Sequence, residues 1–225
     1  MTRTNTRRAF LQGIGGIGVI GVPTRTADEG TTTGGDTTVT ATDLVIPASE
    51  VPPGFESYPT PNSNSFIDAL EELTLDVTST DIAVQGYWSG EVQSDPEWVL
   101  SSVALVSEDP LPRTSIETAA QQSYDEYVEA YRAETTPLIE FDQSYTRGDQ
   151  VSDWRVEIFE KSLFHNSNEG AEHILTDRMR HQFLGNVVLG TLAFGPTDTD
   201  PPIKLLLDEY ATLQRTLYDT HGAMA

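Results

Sequence analysis

Two segments of this chain carry apolar residues at helical spacing, and the apolar residues between and around them fall in short, β-rich runs cut by glycine, proline or aspartate. That combination admits few folds. In the first segment Ile116, Ala119, Ala120, Tyr124, Tyr127, Val128 and Tyr131 form one stripe, with Asp125, Glu126 and Glu129 opposite. Thr114 and Glu117 have the spacing of a capping box after Pro112, and Pro137 ends the pattern. In the second, Pro201-Pro202 opens a helix whose Ile203, Leu206, Leu207, Tyr210, Leu213 and Leu217 share a side, and Gly222 closes it.

The runs 82–88 and 98–106 are rich in β-branched and aromatic residues, and Gly90 and Asp95-Pro96 separate them. Four more runs, 138–145, 154–164, 178–184 and 187–194, read as a meander. Arg147-Gly148-Asp149 marks its first turn, and Gly185-Asn186 is a two-residue hairpin signal. Earlier in the chain come a short strand candidate, Leu44-Val45-Ile46, a rigid turn, Pro52-Pro53-Gly54-Phe55, and a short helix over 66–73 that Ser65 can cap. Helices that each expose one apolar stripe need a sheet face to cover. The expectation is an α+β domain: an antiparallel sheet of about six strands packed by two long amphipathic helices.

Several of these ingredients occur together in a known arrangement. They are Pro53-Gly54-Phe55, the mid-chain helix, Gly148-Asp149, Gly185-Asn186 ahead of Val187-Val188, and the closing helix. Over residues 44–222 the chain resembles exported PsbP-like and LpqN-type lipoprotein domains. The resemblance implies the fold and an accessory or binding role rather than a reaction. This chain has no cysteine, so the lipid anchor of the lipoprotein members is not carried over.

Charge sets the solvent. There are 35 acids against 13 bases, a net of -22, and Lys161 and Lys204 are the only lysines. Such a chain repels itself at low ionic strength. At molar salt the Debye length falls to about 3 Å and the penalty fades. In this it resembles proteins of extreme halophiles, particularly haloarchaea. The same balance argues against nucleic-acid binding and against docking on anionic lipid. The absence of cysteine excludes disulfides, thiolate metal sites and a thiol nucleophile.

The N-terminus reads as an address. Thr6-Arg7-Arg8-Ala9-Phe10-Leu11-Gln12 resembles the twin-arginine export motif, with Arg7, Arg8, Phe10 and Leu11 in the diagnostic places and Gln12 where lysine is usual. A glycine-broken apolar stretch follows and ends at Pro23, far short of the ~20 apolar residues of a membrane span. The resemblance implies a partner, the twin-arginine (Tat) export machinery, and a folded protein secreted outside the cytoplasmic membrane with no stable anchor after cleavage. Gly13, Gly15 and Gly18 match a dinucleotide fingerprint by letter, but no strand precedes them, so a signal-peptide core is the better account. The expected organisation is a signal over 1–23, a Thr/Gly/acid-rich tether over 24–43 and one domain over 44–225.

Chemistry has few places to reside. His165, His173 and His181 recur at eight-residue intervals among Glu169, Glu172 and Asp177, which are metal-ligand types. If 165–177 is a loop, His165 and His181 can approach at its base, giving the alternative of a metal-dependent secreted enzyme. The spacing matches no common zinc pattern, and a solvated polar loop is the preferred reading. Adjacent acids such as Glu71-Glu72, Asp125-Glu126 and Asp208-Glu209 cannot flank a glycosidic bond and read as a hydrated face. Tyr87, Trp88, Trp98 and Trp154 can line a ligand surface, though strand aromatics more often belong to the core. With no nucleophile elbow or phosphate loop, the expectation is a non-catalytic accessory or binding domain without a cofactor.

Overall fold

The computed structural model describes residues 39–58, 80–90, 98–134, 139–161, 172–196 and 203–222. They form a seven-stranded, wholly antiparallel sheet with two long helices. The strands are β1 (Glu56–Tyr58), β2 (Thr80–Ser89), β3 (Trp98–Ser107), β4 (Ile139–Arg147), β5 (Val151–Lys161), β6 (Glu172–Leu184) and β7 (Val187–Pro196), in the order β1-β2-β3-β7-β6-β5-β4. Helix α1 spans Arg113–Glu134 and α2 spans Ile203–Gly222.

Consecutive strands pair throughout except β3 and β4, and β7 closes the sheet against β3. β4 and β5 turn at Gly148, whose N–H donates to Val151 O at 2.7 Å. β6 and β7 turn at Gly185-Asn186, where Gly185 takes φ 73, a left-handed value that a residue with a Cβ adopts at a cost. β7 then lies beside β3, so the centre of the sheet joins distant parts of the chain.

Because side chains alternate, both faces of the central strands can be covered. On one face Leu105 of β3 and Val188 of β7 meet Ile116, Ala119 and Ala120 of α1. On the other, Leu100 and Ala193 meet Ile203, Leu207 and Tyr210 of α2, while Ala104, Val187 and Leu189 meet Ala41 and Leu44. The apolar stripes of both helices therefore do what their spacing implies.

Three expectations are corrected. Leu44-Val45-Ile46 is not a strand: Ala41–Leu44 forms a 3-10 turn closed by Thr40 and Asp43. Its buried backbone is satisfied by side chains instead of a ladder, since Ile46 N donates to Ser102 Oγ and Tyr87 OH donates to Ile46 O. Ala41 is fully buried, so the packed region takes in residues assigned above to the tether. Thr114 lies inside α1, and no capping box forms there. Glu117 instead binds Arg113 and Arg147, tying the helix start to the β4–β5 turn. The strand count is seven because β1, too short to show a periodicity, follows the Pro52–Phe55 turn. The helix expected over 66–73 lies outside the described residues.

One close approach is specific enough to test. A Cβ on Gly195 would fall 2.7 Å from Trp98 Cδ2, inside van der Waals contact with the ring. Gly195→Ala is expected to displace Trp98 from α2 and lower stability by about 2 kcal/mol in thermal melts. An unchanged melting temperature would show that the ring is not held there.

Candidate functional site

The polar groups of the sheet divide between its faces. On the α2 face, Arg180 of β6 donates from Nε to Asp153 Oδ1 at 2.7 Å and from Nη2 to Asp153 Oδ2 at 3.0 Å, a bidentate pair with β5. Its Nη1 also lies 2.7 Å from Asp208 Oδ1 on α2. One cation thus joins two strands and a helix, and the Asp153 hydrogen bond, the largest influence, raises its pKa. Beside it Gln182 Nε2 donates to Ala211 O at 2.8 Å. Deeper, Thr191 Oγ1 donates to Gln214 Oε1 and Gln214 Nε2 donates to Val103 O, both at 2.8 Å and fully buried.

On the α1 face, His181 is 0% exposed. It stands in register between Ser152 of β5 and Gly190 of β7. Gly190 makes room, since a Cβ there would lie 2.5 Å from Val103 Cγ1 and 3.3 Å from the His181 ring. Burial drives the His181 pKa down to about 4, against a smaller opposite influence of Asp153. The imidazole is therefore neutral near pH 7. Tyr145 of β4 meets Tyr124 of α1 with ring centroids 5.6 Å apart.

The histidines are placed differently from the loop expectation. His173 and His181 lie on one strand, paired with Glu160 and Ser152 respectively. Eight residues of strand separate them by about 26 Å, so they cannot share a metal ion. His181 is core rather than solvated loop. His165 lies outside the described residues, as do Arg7, Arg8, Phe10 and Leu11, the residues of the expected export motif. Among the described residues no group of three or more His, Asp or Glu could hold a metal ion. Tyr87 and Trp88 are buried, and Trp98 packs beside Leu100 and Ala193. Trp154 sits between Tyr145 and Met179 in the sheet register.

Sequence reasoning passed over Asp153, Arg180, Thr191 and Gln214, and set Asp208 aside as surface. A signal for Gln214 was present: it lies seven residues after Leu207 and four after Tyr210, on the buried stripe of α2. These groups attach α2 to the sheet, and this role accounts for the contacts they make.

No family model matches this chain, and no curated protein matches it. Among solved structures, the extracellular domain of PknH from Mycobacterium tuberculosis is similar at 11% identity and a TM-score of 0.42, over 84% of this chain and 100% of that one. LpqN, involved in cell envelope biogenesis of the same organism, is similar at 13% identity and a TM-score of 0.29, over 72% of this chain and 75% of that one. Both are weak structural similarities.

Proposed function

We propose that this chain is a secreted, salt-adapted accessory or binding domain that works outside the cytoplasmic membrane and reaches it folded, through the twin-arginine machinery. The observation that carries the reading is Thr6-Arg7-Arg8-Ala9-Phe10-Leu11 followed directly by a glycine-broken apolar stretch. Two further observations support it. The net charge of -22 suits a surface screened by brine. Two interior groups of the sheet serve the fold: Arg180 is held between Asp153 and Asp208, and His181 lies within the core. Among the described residues no helix is long and apolar enough to cross a membrane. The role is recognition of a protein or small ligand of the envelope.

The test is export of the full chain from a halophilic host. The parent is expected in the medium with its N-terminus trimmed. Arg7→Lys with Arg8→Lys is expected to lower the extracellular amount at least tenfold and leave the longer form in the cells. Equal export of parent and variant would overturn the reading.

A further inference from the structure

Residues 39–51 cross the α2 face of β2 and β3 without a sheet ladder, and side chains hold them down. Ala41 N–H donates to Asp81 Oδ2 at 2.7 Å and Ile46 N–H to Ser102 Oγ at 3.0 Å. Tyr87 OH donates to Ile46 O at 2.8 Å, and Tyr210 OH of α2 donates to Glu50 O at 3.3 Å. Thr40 donates to Asp43 Oδ2 from its N–H at 2.9 Å and from Oγ1 at 2.7 Å, closing the 3-10 turn. Ala41, Leu44 and Ile46 are each 0% exposed.

The same residues carry a processing signal. A signal peptidase cuts after a small-x-small pair. Between Pro23 and Leu44 the pair closest to that form is Val39-x-Ala41, which puts the cut at Ala41–Thr42. Ala27, the other alanine in this stretch, has charged Arg25 at the matching place.

We propose that the fold conceals this site, so that processing falls upstream of Val39 and the secreted chain keeps residues 39–51 as part of its domain. This rests on the export reading above, in which the chain folds before a peptidase reaches it. A protease takes several residues on both sides of the cut in extended form, and a packed turn does not offer them. Seating Ala41–Thr42 there means lifting Ala41 and Leu44 off Ala104, Val187 and Leu189 and breaking the hydrogen bonds to Asp81 and Asp43. Cleavage of a folded chain follows the population of the opened form, and each of these contacts lowers it. The motif alone favours a cut at Ala41; a folded substrate withholds it.

Intact mass and N-terminal sequencing of the protein in the medium of a halophilic host provide the first test. The secreted chain is expected to begin at or before Val39. One that begins at Thr42 or later would overturn the proposal and leave the export reading standing, whereas no protein in the medium would overturn both. The second test needs no export. The full chain, purified in molar salt, is exposed to a non-specific serine protease, and cuts between residues 40 and 47 are timed by mass spectrometry. Leu44→Ala with Ile46→Ala loosens the segment and is expected to be cut there at least tenfold faster than the parent. Circular dichroism in the same salt verifies the fold. Where the double variant does not fold, Asp81→Ala, which removes the bond to Ala41 N–H, takes its place with an expected gain of at least threefold. Equal rates in the parent and a folded variant would overturn the proposal.

Discussion

Shortening Gln214 to alanine is expected to cost about 3 kcal/mol of folding stability, measured by urea titration in molar salt. The side chain is 0% exposed and joins three elements: α2 carries it, β7 donates to it from Thr191, and β3 accepts from it at Val103 O. Truncation opens a cavity and strands the Thr191 hydroxyl, and each effect alone costs roughly 1–3 kcal/mol. Gln214→Leu keeps most of the volume and is expected to lose about 2 kcal/mol through the polar groups left behind. Adding Thr191→Val to Gln214→Leu removes the stranded hydroxyl and is expected to restore part of that loss. The coupling between the two positions is the informative quantity. A Gln214→Ala chain within about 0.5 kcal/mol of the parent would show that the buried bridge does not hold α2 in place.

The same residue shows what a sequence discloses and what it conceals. Period and punctuation reveal elements, because burying one face leaves a repeat that can be counted. The strands around Tyr87, Val103 and Val188, both long helices, and the turns at Gly148 and Gly185 were visible that way. Segments whose order comes from distant partners leave no repeat. Ala41–Leu44 packs because Ser102 and Tyr87, more than forty residues away, bind the backbone of Ile46. β1 is too short to show any period.

The polar residues were harder for a related reason. Composition assigns acids and histidines to water, and in a chain with 35 acids most belong there. Parity says otherwise for His181, which shares its face of β6 with Met179 and Phe183, while Arg178, Arg180 and Gln182 alternate with it. Counting in twos would have placed it in the core. Nothing in the sequence pairs Arg180 with Asp153 and Asp208, because that triangle exists only once β5, β6 and α2 are assembled. The proposed export motif differs again: it is a string of letters, legible in the sequence without reference to the fold.

Acid is expected to expose His181. Its pKa is 6.5 as a free side chain and falls to about 4 in the fold, chiefly through burial. Above pH 6.5 the imidazole is neutral whether folded or unfolded, and its contribution to stability is fully present. As pH falls from 6.5 to 4 the unfolded chain takes up a proton that the folded chain refuses, so stability drops across that window and levels off below it. The shift corresponds to about 3 kcal/mol. Carboxylates titrating near the lower end relieve the self-repulsion of the chain and oppose the trend, so the parent's profile alone does not isolate the histidine. His181→Gln does: it keeps a polar side chain of similar size that does not titrate. Between pH 7 and pH 4 the stability of this variant relative to the parent is expected to rise by about 3 kcal/mol, whatever its deficit at neutral pH. A gap that stays constant with pH would mean that the imidazole reaches solvent in the folded chain, and that α1 does not seal that face of the sheet.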